Sequence, residues 1–247
     1  MNPFVCVEFT AKDVVKAVKR KDVVVVIDVL RCCSTIITAL ANGVEGVLPT
    51  RTVKEARALH EVFPEFLLAG ERRGLKPRGF NLGNSPYEFS PEAIKGKRVI
   101  MTTTSGTKAI ALSKNARWVL IGAFLNAEAV AKAALTIAER ETTGISLLLF
   151  GRSGRFSLED FICAGLIVEN LLTNKVQLDD AALASLLAFQ QSRQSLYTIL
   201  QNGRHAQYLR TIGFEDDVKF CSKINVFKIV PFLSNGMVVP LPRSLKT

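Results

Sequence analysis

The chain has 247 residues, of which 48% are hydrophobic and 22% charged, and its formal net charge is +10. This hydrophobic content excludes a disordered chain and suffices for one large core. The longest apolar runs, residues 23–27 and 145–150, are too short to span a bilayer, so we expect no membrane segment. The first residues lack the basic, apolar and cleavage regions of a signal peptide, which favours a soluble, cytoplasmic protein.

Short runs of β-branched residues alternate along the chain with stretches of helical periodicity. Strands are predicted at residues 23–27, 46–48, 66–69, 98–101, 118–121 and 145–150. Helices are predicted at residues 34–41, 52–61, 106–113, 127–140, 158–173, 179–201 and 204–211. This alternation predicts an α/β fold with three layers, α/β/α, around a mainly parallel or mixed central sheet.

The portion from residue 179 onward differs in pattern, with a long helical stretch and then a β-rich tail at residues 219–239. No flexible linker separates it, so we predict a single domain over residues 1–247, in which residues 179–247 extend the sheet. The sequence contains a sparse internal repeat at constant spacing, in which Thr35 corresponds to Thr107 and Val47 to Val119. This repeat favours a repeated βαβ architecture without establishing a duplication.

Polar residues follow four of the predicted strands, at the points where the strands end. In parallel α/β sheets, ligands bind outside the carboxyl ends of the strands, where loops and helix N-termini converge. The four segments are Asp28-Val29-Leu30-Arg31, Gly70-Glu71-Arg72-Arg73-Gly74, Thr102-Thr103-Thr104-Ser105-Gly106-Thr107 and Gly151-Arg152-Ser153-Gly154. We therefore expect acidic, guanidinium and hydroxyl side chains to meet at a common edge of the sheet.

The threonine-rich segment is predicted to bind a phosphate group. A turn of hydroxyl residues and glycine that leads into a helix offers unpaired N–H groups, and the helix dipole adds partial positive charge. An ordinary helix cap is the alternative interpretation of this turn taken alone. The residues assigned to the phosphate are Thr103, Thr104, Ser105, Gly106 and Thr107. Arg31 and Arg152 are predicted to clamp anionic oxygens, because a guanidinium pairs with phosphate or sulfonate through two hydrogen bonds.

Carboxylates near the same strand ends predict a magnesium site. Mg²⁺ is usually held by one or two carboxylates together with waters and phosphate oxygens. The candidates are Asp28, Glu71, Glu159 and Asp160, of which Asp28, Glu71 and Asp160 are also predicted to be catalytic. For Glu159 and Asp160 the alternative is that they complement the dipole of the following helix. Hydrolysis by an activated water and a phosphoenzyme on Asp28 both remain open.

Several common patterns are absent from the sequence. It contains no G-x-x-x-x-G-K-[ST], no G-x-G-x-x-G, and no cysteine followed six positions later by arginine. His60 and His205 lie in predicted helices, so we expect them to be structural or exposed. The five cysteines lack C-x-x-C spacing, which indicates reduced thiols. The basic residues are spread along the chain without interleaved aromatics, so a small anion is favoured over nucleic acid as partner.

In combination, these segments resemble the 2-phosphosulfolactate phosphatase family. The likeness runs from about residue 23 to about residue 170. The motifs that carry it are Asp28-Val29-Leu30-Arg31 with Ser34-Thr35, Gly70-Glu71-Arg72, Asn81-Leu82-Gly83-Asn84-Ser85-Pro86, Thr102-Thr103-Thr104-Ser105-Gly106-Thr107, and Ser157-Leu158-Glu159-Asp160 with Cys163-Ala164-Gly165. Their shared order makes the resemblance specific. The chain departs from the family pattern at Cys32-Cys33, Ser105 and Ser153.

The resemblance implies a Mg²⁺-dependent hydrolase that converts 2-phospho-3-sulfolactate to sulfolactate and phosphate, a step of coenzyme M biosynthesis. It also implies a three-layer α/β/α fold. Ser34, Asn84 and Ser85 are further substrate-binding candidates; the amide of Asn84 and the hydroxyl of Ser85 lie in a turn where they can bond a ligand, although such turns are common without function. We expect the partner to be a small phosphorylated and sulfonated acid, with neither nucleic acid nor membrane involved, and a homodimer is left open. Two other functions compete: a non-catalytic anion or nucleic-acid binding module that lost turnover, and a phosphotransferase that uses the same loops.

Overall fold

The computed structural model describes residues 2–9, 11–150, 155–172 and 175–242. The strands are β1 (Phe4–Glu8), β2 (Val23–Ile27), β3 (Gly46–Thr50), β4 (Leu67–Gly70), β5 (Arg98–Thr102), β6 (Val119–Gly122), β7 (Ile145–Leu149), β8 (Gln177–Leu178), β9 (Pro231–Ser234) and β10 (Met237–Pro240). The helices are α1 (Ala11–Arg20), α2 (Cys32–Ala41), α3 (Val53–Val62), α4 (Pro91–Ile94), α5 (Gly106–Leu112), α6 (Ala127–Glu141), α7 (Leu158–Leu171), α8 (Asp180–Ser192), α9 (Leu196–Leu200), α10 (Arg204–Thr211) and α11 (Glu215–Cys221). Within these ranges, no helix is long and apolar enough to cross a membrane.

The described residues form one ten-stranded sheet with the order β4-β5-β3-β10-β9-β6-β2-β7-β1-β8. Most neighbouring strands are parallel, which confirms the predicted mainly parallel or mixed sheet. Alternate residues of β2 belong to different cores: Val23, Val25 and Ile27 pack among α6, α7 and α8, and Val24 and Val26 pack among α1, α2 and α5. Helices therefore cover both faces of the sheet, and burial on both faces explains why β2 is an uninterrupted apolar run.

The C-terminal hairpin β9–β10 lies in the middle of the sheet. β10 is antiparallel to β3, β10 is antiparallel to β9, and β9 is antiparallel to β6. The predicted β-rich tail does join the sheet, but between two groups of strands formed by the rest of the chain. The prediction was wrong over its first part, because residues 219–221 belong to α11 and the first strand of the tail begins at Pro231. Strand β1 and helix α1 were not predicted from the sequence.

The two groups of strands that flank the hairpin run in opposite directions. Three antiparallel junctions separate β3 from β6, so β3, β4 and β5 point opposite to β2, β6 and β7. Helix α2 connects β2 to β3, and α5 connects β5 to β6, so both connections cross from one group to the other. A common edge of parallel strand ends, on which the sequence-based expectation rested, therefore does not exist across the whole sheet.

Candidate active site

A polar cavity of about 130 Å³ lies where the loops after β2, β4 and β5 meet the beginning of α7 and one face of α10. Its lining consists of Asp28, Leu30, Arg31, Glu71, Arg73, Gly74, Asn84, Thr103, Thr104, Ser105, Ser157, Asp160, His205, Tyr208 and Leu209. Most of the residues that the sequence singled out at strand ends are therefore brought together, although the strands themselves run in opposite directions.

Helices α2 and α5, which connect the two groups of strands, bring these loops together. A Cβ atom added to Gly106, the first residue of α5, would lie 2.5 Å from the Cβ of Cys32 and 2.6 Å from Oδ2 of Asp28. Contacts this close are tolerated only by a residue without a side chain. Gly106 thus allows the beginning of α5 to approach the beginning of α2, which joins the loops of the two oppositely directed groups of strands. The sequence interpretation assigned Gly106 to phosphate binding, whereas its packing already accounts for the glycine.

Asp28 and Asp160 are buried carboxylates with few hydrogen bonds. Oδ1 of Asp28 accepts a long bond of 3.3 Å from the N–H of Cys32, and Oδ1 of Asp160 accepts a bond of 2.8 Å from the N–H of Val29. Desolvation raises the pKa of Asp28 to about 6, against the opposing effects of His205 and the Cys32 N–H. Desolvation, with the charges of Glu159 and Asp28, raises the pKa of Asp160 well above its usual value. The negative charge of Asp28 thus makes the ionised form of Asp160 less favourable.

Glu71 is also buried, but its carboxylate is well supplied with donors. Oε1 accepts the N–H of Thr104 at 2.6 Å, and Oε2 accepts the N–H of Gly74 at 2.8 Å and the hydroxyl of Thr104 at 3.2 Å. These bonds fasten the Arg72–Leu75 turn to the threonine turn. Glu71 lines the cavity as predicted, and its hydrogen bonds give it a structural task in addition to any catalytic one.

The threonine turn uses two of its N–H groups internally. The N–H of Thr103 donates to Oγ1 of Thr107 at 2.8 Å, and the N–H of Thr107 donates back to Oγ1 of Thr103 at 3.0 Å. The N–H of Thr104 is taken by Glu71. The turn is therefore both a helix cap and part of the cavity wall, and three of the N–H groups assigned to phosphate already have acceptors in the protein.

Arg31 lies in the cavity wall and is held by three neighbours. Its Nη1 donates to Oδ2 of Asp217 at 2.5 Å, its Nη2 donates to the carbonyl of Gly74 at 2.6 Å, and its guanidinium stacks over the ring of Phe214. The hydroxyl of Ser85 donates to the other oxygen of Asp217 at 2.6 Å. Of the five guanidinium donors, three are not engaged by these bonds. Arg31 is thus fixed in orientation by α11, and Ser85 supports it from behind.

Asn84 has a buried oxygen without a partner. Its side chain is buried, lines the cavity, and its Oδ1 accepts no hydrogen bond from any described residue. An unsatisfied buried acceptor costs roughly 1–3 kcal/mol, so it is usually retained for a ligand or water. A neutral oxygen acceptor repels the oxygens of a phosphate and suits a cation or a hydroxyl donor. Ser34, by contrast, donates to the carbonyl of Val29 and does not line the cavity.

His205 was expected to be structural or exposed, and the structure places it in the cavity wall, partly exposed. It lines the cavity from α10, with Nδ1 3.3 Å from Oε1 of the buried Glu159. Glu159 therefore faces His205 and is not part of the cavity lining, unlike Asp160 beside it. His60, the other histidine, lies outside the cavity. The sequence near His205 contains Gly203, which precedes α10. This glycine indicates where a helix begins but does not indicate a functional residue.

No signal in the sequence pointed to Asp217, and Arg73 was placed in a strand-end segment without a role being assigned to it. Asp217 is one of three consecutive acids in the first turn of α11, a placement that ordinarily complements the helix dipole. Arg73 lines the cavity, and its side chain makes no hydrogen bond or ion pair with another described residue. It sits at the tip of the turn, with φ of +52°, and its carbonyl accepts the hydroxyl of Tyr208. Arg152, predicted to be an anion clamp, lies outside the described residues.

The fold and the cavity define a three-layer α/β protein with a polar pocket of buried carboxylates, arginines and hydroxyl groups, as expected of an enzyme that acts on a small charged molecule. A family model described as 2-phosphosulpholactate phosphatase matches residues 9–236. The chain belongs to this family.

Relatives cover most of the chain at substantial identity. A protein of Thermotoga maritima is 43% identical over 87% of this chain and 90% of its own length. One of Caldanaerobacter subterraneus is 41% identical over 87% and 89%, and one of Clostridium acetobutylicum is 36% identical over 93% and 97%. Each is named probable 2-phosphosulfolactate phosphatase. The matches include the C-terminal part of the chain, where no motif was recognised in the sequence.

Proposed function

We propose that this protein hydrolyses the phosphate ester of 2-phospho-3-sulfolactate to sulfolactate and inorganic phosphate, with Mg²⁺ as cofactor, in coenzyme M biosynthesis. Family membership supports the reaction, since the relatives carry the name of this phosphatase. The observation that carries the assignment to a site is the pair of buried, sparsely hydrogen-bonded carboxylates, Asp28 and Asp160, in a cavity beside arginines. We place the reaction in this cavity.

The donor set of the cavity fits a magnesium ion. Within the described ranges, no group of three or more His, Cys, Asp or Glu side chains is arranged as a complete metal shell. Mg²⁺ does not need one, because it commonly keeps several waters and takes one or two carboxylates. Asp28 and Asp160 would supply those carboxylates, and the orphaned Oδ1 of Asn84 would add a neutral oxygen. Glu71 and Glu159 were also predicted to be metal ligands. The carboxylate of Glu71 accepts hydrogen bonds from Thr104 and Gly74. The carboxylate of Glu159 is paired with His205.

When bound, Mg²⁺ would supply positive charge to the phosphate oxygens and lower the pKa of a water. The chain's own residues perform the remaining tasks. Arg31, oriented by Asp217, and Arg73 at the rim pair with the anionic groups of the substrate. Glu71 holds the turn that carries Arg73 against the threonine turn. His205, oriented by Glu159, is placed to hold a proton for the departing alkoxide oxygen.

Phosphate release from 2-phosphosulfolactate, phospholactate and phosphoglycolate, each with and without Mg²⁺, tests this proposal. We expect activity to require Mg²⁺ and to be highest with the sulfonated substrate. Asp28→Asn and Asp160→Asn are each expected to lower kcat by about a thousandfold or more, since charge stabilisation of this kind is worth several kcal/mol.

The matched control is Asp22→Asn. Asp22 is a buried acid at the other end of β2, bonded to Arg20 and Ser146 and absent from the cavity lining. Its replacement is expected to reduce stability while leaving kcat within about threefold of the unmodified protein. Equal activity losses at Asp22 and Asp28 would mean that the cavity carboxylates have no special part in the reaction. Transfer of phosphate to added alcohols in preference to water would instead indicate a phosphotransferase.

A further inference from the structure

A second pocket opens beside the cavity just described. It has a volume of about 450 Å³ and is lined by Arg155, Phe156, Ser157, Leu158, Glu159, Arg204 and His205. Ser157 and His205 line both spaces, so the two pockets share a wall. Nothing in the reaction proposed above uses its two arginines.

Helix α10 runs along both pockets. Arg204 and His205 line the second pocket, and Tyr208 and Leu209, one turn later, line the first. Residues four apart lie on the same face of a helix, so one face of α10 contributes to both spaces. The two pockets are therefore neighbours along this face, and Ser157 and His205 are common to both.

The two pockets differ in their charge. The first is lined by three carboxylates, Asp28, Glu71 and Asp160, and by Arg31 and Arg73, so it suits a cation together with the phosphate that accompanies it. In the second, the single carboxylate of Glu159 is paired with His205. Arg155 and Arg204 are exposed, and neither makes a hydrogen bond or ion pair with another described residue. Among the described side chains that line it, the second pocket thus has no acidic group that compensates the charge of its two arginines.

We propose that the second pocket binds the non-reacting sulfonate of the substrate, with Arg155 and Arg204 as its specificity-determining residues. This inference rests on the proposed function. A sulfonate carries three acceptor oxygens and no donor, so guanidinium groups are its natural partners, and it gains nothing from the carboxylates of the first pocket. The phosphate then occupies the first pocket, where the reaction takes place.

Two substrates that differ only in the sulfonate isolate this role. The values of kcat/KM for 2-phosphosulfolactate and 2-phospholactate are compared in the unmodified protein, Arg155→Gln, Arg204→Gln and the double variant. Each single change is expected to lower kcat/KM for the sulfonated substrate by about tenfold, and by less than about twofold for phospholactate, since one charged hydrogen-bonding group is lost. Both arginines are exposed, so the fold should tolerate these changes.

Arg210→Gln is the matched control, because it removes the same charge from the same helix. Arg210 lines neither pocket and makes only an exposed ion pair with Glu215. It is expected to leave both substrates unaffected. Equal losses for both substrates, or no loss for either, would overturn the assignment of the sulfonate to this pocket.

Binding of sulfolactate, measured by calorimetry, separates this inference from the proposed function, because sulfolactate has no phosphate to hydrolyse. If the unmodified protein released no phosphate from either ester, the proposed reaction would fail, and the subsite would be judged by binding alone. We expect the double variant to bind sulfolactate at least about tenfold more weakly than the Arg210→Gln control, and the two losses are not expected to multiply because both arginines contact the same sulfonate. Equal affinity in the two proteins would refute the subsite.

Discussion

Two kinds of buried carboxylate surround the active-site cavity, and they differ in how well they are satisfied. Asp217 accepts short hydrogen bonds on both oxygens, from Arg31 and Ser85. Asp28 and Asp160 are buried as well, yet each receives a single backbone N–H on its Oδ1, and burial raises the pKa of both. The first kind is neutralised by other side chains of the protein, and the second is not.

The difference separates residues that build the cavity from residues that serve its ligand. A paired buried acid holds other groups in position, and its removal leaves its partner charged and unpaired. An unpaired buried acid lowers the stability of the empty protein at neutral pH, and a bound cation reverses that effect. Substitutions of the two kinds should therefore have opposite effects on stability.

The largest effect on stability is expected at Asp217. Asp217→Asn leaves the guanidinium of Arg31, which is 3% exposed, without its counter-charge. Breaking a buried ion pair in this way costs about 3–5 kcal/mol, and the free energy of unfolding measured with urea should fall by roughly the lower figure, since Asn still accepts one hydrogen bond.

Glu45→Gln provides the comparison for Asp217→Asn. It breaks the ion pair of Glu45 with Arg98, in which both side chains are 52% exposed. Exposed pairs contribute about 0–1 kcal/mol, so this variant should unfold at nearly the same urea concentration as the unmodified protein. Similar losses in the two variants would show that the Asp217 pair is no better shielded than a surface pair.

The sequence predicted the parts of this site that depend on local pattern. The run at residues 23–27, the hydroxyl turn before α5 and the acids at the beginning of α7 could be located because strand ends and helix starts have local signals. The long-range arrangement could not be predicted. Nothing in residues 231–240 indicates that β9 and β10 would enter the middle of the sheet, and nothing around Asp217 indicates that it would reach Arg31, 186 positions away.

Arg31 and Glu71 also show that long-range contacts could not be predicted from the sequence. Both were predicted to contact the ligand, and both do line the cavity. Their hydrogen bonds to Asp217, Gly74 and Thr104 depend on tertiary contacts that no spacing in the sequence reveals. A residue type at a strand end thus indicates where a side chain lies more reliably than it indicates whether its charge is already paired.

An effect of opposite sign is expected at Asp28. Its folded-state pKa of about 6 lies above the ordinary value of 3.8. As pH rises between these values, the unfolded chain loses the proton while the folded protein keeps it. The unmodified protein therefore loses stability over this pH window, and Asp28 causes no further loss of stability above it. Without metal, Asp28→Asn lacks this loss and should be more stable at pH 7.5 by roughly 2–3 kcal/mol.

Urea unfolding at pH 4 and pH 7.5, with and without Mg²⁺, measures this difference. The advantage of Asp28→Asn should be present at pH 7.5, shrink towards pH 4, and be reduced at pH 7.5 by Mg²⁺, which stabilises the unmodified protein more than the variant. Asp22→Asn, which removes a well-bonded acid from the same strand, should be destabilising at pH 7.5. An Asp28 variant that is less stable than the unmodified protein without metal would contradict the distinction between the two kinds of acid.

The smallest effect concerns Ser85, whose hydroxyl steadies Asp217 from behind. Ser85→Ala should lower the free energy of unfolding by about 1 kcal/mol, the usual value for one buried hydrogen bond. Ser113→Ala removes a comparable buried hydroxyl, which donates to the carbonyl of Ala109 away from the cavity, and should cost about the same. Only Ser85→Ala should raise KM for 2-phosphosulfolactate, by about twofold to fivefold with little change in kcat, because a less constrained Asp217 orients Arg31 less well for binding. An unchanged KM in both variants would mean that Arg31 is held in place by Gly74 and Phe214 without help from the far side of Asp217.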